Sequence, residues 1–191
     1  MKICVYGASS VKTEEKYINA VESLCETLAI KGHSLVYGGG AGGLMGAAAR
    51  GFSRGGGHIT GVAPHFFNSD GILYDKCDEL IRIDTMRERK QIMEEKSDIF
   101  IMVPGGVGTF DEFFEILTLK QLARHSKAII VYNIFGYYDK LQQFMEHAVE
   151  EKFINPVSMA LYEMMDNIEK IVEYIDNYNP ETLNINDTKY I

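Results

Sequence analysis

"DIFIMVPGGVGTFDE", Asp98 to Glu112, joins an apolar run to a glycine-rich turn and then to two acids. The run is short, β-rich and uninterrupted, as expected of a strand buried on both faces. Pro104 ends it. Gly105, Gly106 and Gly108 let the backbone turn sharply and bring N–H groups close to a ligand. An amphipathic helical pattern follows. Thr109 and Glu112, three residues apart, can be read as a capping box that opens this helix. A cap accounts for neither Gly105 nor Gly106 nor Gly108, whereas free N–H groups at a helix N-terminus form a phosphate site. The same positive end is expected to keep Glu112 ionised near neutral pH.

Outward from this unit the strand–helix pattern repeats. "KICVY", "SLVY", "HITGVA", "ELIRI" and "KAIIVY" read as further buried strands, bounded by Gly, Pro or Asp. Between strands, Val21, Leu24, Cys25 and Leu28 follow helical spacing, as do Leu141, Phe144, Met145 and Ala148. Asp166 and Glu169 predict a capping box for a last helix toward Tyr174. Such alternation implies an α/β fold, a Rossmann-like three-layer α/β/α arrangement with a mostly parallel sheet. Ligands of such sheets sit at the carboxyl ends of the strands, near helix N-termini. No repeat or linker divides the chain. Residues 1–180 are expected to form a single domain, and residues 181–191 a loose polar tail.

The bulk numbers narrow the function. The chain has 191 residues, 46% apolar and 24% charged, with a formal charge of −8. An acidic balance disfavours a general nucleic-acid or membrane surface. No run long enough to span a membrane and no signal-peptide pattern is present, so a cytoplasmic protein is expected. Cys4, Cys25 and Cys77 form no CxxC pair and read as reduced core residues. The five histidines show no HExxH spacing, and no metal is expected.

Two further stretches carry chemistry. "YGGGAGGLMG" follows "SLVY", and Gly38, Gly40 and Gly43 match GxGxxG. A dinucleotide site would add an acid roughly 20 residues on. No Asp or Glu occurs from Gly51 to Ser69, which disfavours hydride transfer. The loop, with Gly39 and Gly40, is then either a tight packing turn or a backbone wall of a nucleotide pocket. In "DTMRERK", Thr85 and Glu88 form a capping box, so Met86, Arg87, Arg89 and Lys90 fall at a helix start. Cations there oppose the helix dipole by roughly 0.3–1 kcal/mol each. A solvated basic face is one account. An anionic ligand held against the cluster, with Arg89 using its fork bidentately, is the other.

Together "GGGAGGLMG", "MRERK" and "PGGVGTFDE" resemble the LOG family, the cytokinin riboside 5′-monophosphate phosphoribohydrolases, whose members are often mislabelled lysine decarboxylases. The similarity runs from about Ile3 to Tyr174 and includes "VYNIFGYYDKL" and "AVEEKFI". The resemblance implies a Rossmann-like homodimer with active sites near its interface and no cofactor. It implies hydrolysis of the N-glycosidic bond of an adenosine 5′-monophosphate or its N6-substituted form, to free base and ribose 5-phosphate. Arg89 and Glu112 take the family's catalytic positions. Lys90 and the loop Gly105, Gly106, Val107, Gly108 and Thr109 take substrate-binding ones, and Thr118 matches a further family position. Met86, Gly39, Gly40 and Asp111, beside these, are expected to bind substrate as well. Arg87 stands where the family usually has His. "GASSVKTEE" lacks the glycine that commonly follows the paired serines, and Asp70 is the nearest match to a family Glu. These departures bear on the preferred base, not on the reaction. A decarboxylase would need a pyridoxal phosphate Schiff-base lysine, and the sequence nominates none. A nucleotide-binding sensor or carrier without turnover is the alternative; intact Arg89 and Glu112 favour the hydrolase.

Overall fold

The computed structural model describes residues 1–67, 71–180 and 184–188. Asp70 therefore lies outside the described residues. Among them, seven strands form one sheet in the order β4-β3-β2-β1-β5-β6-β7. They are β1 (Lys2–Tyr6), β2 (Ser34–Tyr37), β3 (Ile59–Pro64), β4 (Glu79–Ile83), β5 (Ile99–Met102), β6 (Ala128–Tyr132) and β7 (Glu163–Met165). Every pairing is parallel, so a sheet expected to be mostly parallel is wholly so. The sequence reading missed β7, whose three residues, "EMM", are too short to show a period.

Side chains along each strand alternate between two cores, as a two-residue period requires. Ile3 and Val5 face α1 (Glu15–Ile30), α2 (Gly43–Arg54) and α6 (Ile168–Asn177). Cys4 and Tyr6 face α4 (Val107–Gln121), with Met93 of α3 (Met86–Glu95) and Met145 of α5 (Asp139–Glu150) in the same core. Both faces are thus covered, which is why the strands read as continuous apolar runs. The expected α5 stripe is only partly buried: Met145 is inside while Phe144 is 63% exposed. α1 and α2 pack closely because Gly51 has no side chain; a Cβ there would lie 2.5 Å from Glu22 O.

Helix starts show where local rules were overridden. Thr85 caps α3 as expected, accepting from the Glu88 N–H at 3.1 Å. Glu88 reaches back to the Asp84 N–H. α6 is capped by Asn167, not Asp166: the Asn167 side chain accepts from the Lys170 N–H. α4 starts three residues earlier than a Thr109 cap would place it. Its N-cap is Gly106, with no side-chain cap bond, so the Thr109–Glu112 capping box does not form. Within residues 181–191 the described part is helical, α7 (Ile185–Thr188), and it docks rather than hanging loose. Thr188 is buried, and its hydroxyl donates to Gln121 O.

Strand order reverses at β1, with β2 on one side and β5 on the other. The loops leaving β1 and β5 therefore part and leave a crevice between them, the usual ligand position in such sheets.

Candidate active site

A cleft of about 380 Å³ occupies that crevice. Gly7, Ala8, Ser9 and Ser10 of the loop after β1 form one wall. Gly106, Val107, Gly108, Thr109, Asp111 and Glu112, at the start of α4, form the other. Met86, Arg89 and Lys90 of α3, with Met45 and Phe67, complete it. Hydrogen bonds tie the walls together. The Ala8 N–H donates to Pro104 O at 3.0 Å, and the Leu44 N–H donates to Ala8 O at 2.7 Å. Arg82 donates to the carbonyls of His65 and Phe67, which pins the segment carrying Phe67.

The helix start itself is open. The first bond of α4 to a residue before it runs from the Phe110 N–H to Gly106 O at 3.0 Å. Residues 107–109 precede it, and the N–H groups of a first turn have no intrahelical acceptor. Added side chains at Gly106 or Gly108 would meet nothing within 4 Å. Gly105 differs. A Cβ there would collide with Thr109 Oγ1, so this glycine makes room for the buried Thr109. Tyr137 donates its hydroxyl to Gly105 O from the far side.

Arg89 and Glu112 meet at the buried end of the cleft. Arg89 is 4% exposed. Its Nε donates to Val62 O at 3.0 Å, and its Nη1 to Glu112 Oε1 at 2.8 Å. Burial pushes the Glu112 carboxyl above the usual range; the Arg89 guanidinium opposes this and favours the carboxylate. Glu112 is the sixth residue of α4, past the first turn where a helix end acts. Its counter-charge is therefore Arg89, not the helix terminus as expected from sequence. Among the described residues its other oxygen accepts no hydrogen bond, and the carboxylate borders the cleft.

The basic helix start has an internal explanation as well. Lys90 Nζ contacts Asp111 at 3.0 Å and Glu115 at 2.6 Å, both on α4. Burial alone would lower its amine; Glu115 and Asp111 together hold it above the ordinary value. Arg89 and Lys90 are thus answered by α4 acids rather than left for an external anion. Arg87 is exposed.

Of the residues singled out from sequence, the cleft gathers Met86, Arg89, Lys90, Gly106, Val107, Gly108, Thr109, Asp111 and Glu112. Gly39 and Gly40 are not among its walls. Gly39 packs near Ala63 and Leu73, and Gly40 bridges to Leu73. Gly105 backs the turn, and Thr118 is exposed further along α4, in a shallow depression with Val107, Phe110 and Phe114. Sequence reading missed Ser9, Ser10, Met45 and Phe67 as walls. The strand order would have found the first two, because the loop after β1 must flank a switch point.

Comparison with known proteins bears on the family and the fold. A family model described as "Possible lysine decarboxylase" matches residues 45–175. A probable cytokinin riboside 5′-monophosphate phosphoribohydrolase of Oryza sativa subsp. japonica is 37% identical over 182 residues, 92% of this chain and 86% of the relative. A cytokinin riboside 5′-monophosphate phosphoribohydrolase of Arabidopsis thaliana is 35% identical over 179 residues, 94% of this chain and 78% of the relative. Among solved structures, the molybdenum cofactor carrier protein of Chlamydomonas reinhardtii superposes with a TM-score of 0.72 at 21% identity, covering 92% of this chain and 95% of that one. At that identity the likeness is one of fold.

Proposed function

The chain belongs to the LOG family of phosphoribohydrolases, and from that premise we propose that it hydrolyses the N-glycosidic bond of adenosine 5′-monophosphates, N6-substituted ones included. The products are the free base and ribose 5-phosphate. The observation that carries this reading is the Arg89–Glu112 pair, set at the buried end of a cleft whose wall is an open helix start.

In this reading the 5′-phosphate lies against the N–H groups of residues 107–109, where backbone donors and the helix dipole favour an anion. The ribose is thereby held near Glu112. As the C1′–N bond breaks, its electrons leave with the base and positive charge grows on the sugar. The Glu112 carboxylate stabilises that charge and orients the water that adds to C1′. The base takes up the proton that the water gives up. Arg89 keeps the buried carboxylate ionised and aimed. Met45, Met86 and Phe67 offer apolar surface to the base. Phosphate binding, remote from the reacting carbon, then contributes to the chemical step.

Lys90 argues against decarboxylation. A Schiff-base lysine must lose its proton, whereas two carboxylates hold Lys90 protonated. The homodimer implied by the resemblance would cover the α4 face that bears Val107, Phe114 and Thr118. Val107 is 84% exposed and Phe114 37%. Light scattering on the purified chain reads this out, with a dimer expected and a monomer for Phe114→Glu.

The direct test is incubation with AMP and N6-isopentenyl-AMP beside the matching nucleosides, followed by assay of free base and ribose 5-phosphate. Base release from the monophosphates, and little from the nucleosides, is expected. Equal turnover of nucleosides would remove the phosphate anchor. Tight binding of AMP with no base released would make the protein a nucleotide carrier instead.

A further inference from the structure

The guanidinium of Arg89 occupies a space that only a glycine could leave. Gly38 directly follows β2, and a Cβ built on it would collide with Arg89 Nη2 and lie 2.9 Å from Cζ. Backbone conformation does not demand glycine here. Gly39 and Gly43 have φ of +76° and +56°, whereas Gly38 is outside the left-handed region. Its third close neighbour is Met45 Sδ at 3.2 Å, the flexible part of an unbranched side chain. What excludes a side chain at position 38 is Arg89 itself.

We propose that Gly38 is a positioning residue for the hydrolytic reaction: its missing side chain is the recess that seats the Arg89 guanidinium against Glu112. The inference rests on the function proposed above. Arg89 reaches the recess from α3, across β3, where its Nε donates to Val62 O. Three supports then fix the planar group: a carbonyl on one edge, the carboxylate on another, and the Gly38 backbone beside Nη2. The first glycine of a GxGxxG pattern here serves an arginine, not a pyrophosphate.

Gly38→Ala tests this because the colliding atoms are the far end of a long side chain. The guanidinium must retreat by about 2 Å to regain ordinary contact distance, while the backbone need not move. The melting temperature is expected to stay within a few degrees of wild type. A displacement of this size costs about 100-fold in kcat. KM for AMP is expected to hold, because the α4 start is untouched.

Further readouts separate positioning from mere packing. The groups around Glu112 are Arg89 and Lys90 of α3, Asp111 beside it on α4, and Cys4 and Tyr6 of β1. Of these, Gly38→Ala displaces Arg89, so the acid limb of the kcat profile moves to higher pH. Arg89→Lys, costly in the wild type, adds little on top of Gly38→Ala, since both remove the same interaction. Gly51→Ala, which strikes α1, lowers the melting temperature and leaves the acid limb where it was. A crystal structure of Gly38→Ala reads the guanidinium directly, whether or not the wild type turns over AMP. Arg89 still seated 2.8 Å from Glu112 in that variant would overturn the inference and leave the proposed reaction standing. So would a wild-type kcat, or additive losses with Arg89→Lys. Absence of turnover in the wild type would instead sink the reaction and leave the recess intact.

Discussion

In the stretch that runs from the end of β2 into the first turn of α2, a methyl group added at Gly38, Gly42 or Gly43 would strike Arg89, Ser9 O or Ala8 O, and at Gly46 it would strike Ala41 O. In the stretch that runs from β5 into the first turn of α4, a methyl group added at Gly106 or Gly108 would meet nothing within 4 Å. The two stretches look alike in sequence. One spends its glycines on close approach of the protein to itself: it seats an arginine and lets α2 press on the loop after β1. The other leaves bare backbone facing an open cleft. Glycine richness is therefore no measure of ligand binding. What stands opposite the missing side chain decides it, and Gly105, which yields to Thr109, shows both kinds within one turn.

The largest effect is expected where the open loop meets its acid. Glu112→Gln keeps an oxygen for Arg89 but removes the charge that answers a cationic sugar. Turnover of AMP is expected to fall about 10³-fold with KM nearly unchanged. Steady-state kinetics reads both, and a fully active variant would leave the carboxylate as mere packing. The same charge sets a pH limb. Burial raises the Glu112 carboxyl, so activity falls on the acid side at a pH above the ordinary carboxylate range. Stability runs the other way. A raised carboxyl stabilises the fold below its unfolded value and loses that contribution as pH rises through its folded one. Relative to wild type, Glu112→Gln therefore gains stability from pH 4 to pH 8 in thermal melts.

The next largest belongs to the self-packing stretch, where it enters α2. A Cβ at Gly46 would meet the carbonyl of Ala41, backbone that cannot swing aside. Gly46→Ala is expected to cost about 3 kcal/mol, despite the better helix propensity of alanine. For a chain of this length that lowers the melting temperature by about 10 °C. The kcat of the folded fraction stays put. Lost kcat without lost stability would mean that this stretch, too, faces the ligand.

Much of this was legible in the sequence, and the gaps have one physical cause. Five strands were readable because burial on both faces makes each a nearly continuous apolar run, as in "KICVY" and "KAIIVY"; the sixth, "ELIRI", is a sheet edge with Glu79 and Leu80 exposed, and only its β-rich composition marked it. The α3 start was readable because Thr85 and Glu88 satisfy their cap locally. Thr109 and Glu112 have the same spacing, yet Glu112 turns to Arg89, 23 residues upstream. Lys90 likewise looked free for an anion until α4 brought Asp111 and Glu115 to it. Local pattern fixes elements; a contact between distant segments has no spacing to read. Gly38 sits on the same divide, since its partner lies on α3, 51 positions on.

The smallest effect sharpens the comparison most, because it predicts opposite signs in one variant. Gly108 is in the first turn of α4, exposed, and has open space where a side chain would go. Alanine is the better helix former by roughly 0.5–1 kcal/mol, and it loses less entropy on folding. Gly108→Ala should therefore melt about 2 °C higher than wild type. The added methyl also occupies space beside the amides of residues 107–109, where the phosphate oxygens would approach. KM for AMP should rise about tenfold, a loss of about 1.4 kcal/mol in binding. A nucleoside, which brings no phosphate to that turn, should lose nothing. Higher stability with unchanged KM would mean that the open turn faces only solvent, and the contrast between the two loops would then lose its functional meaning. Lower stability would mean that the turn is packed after all.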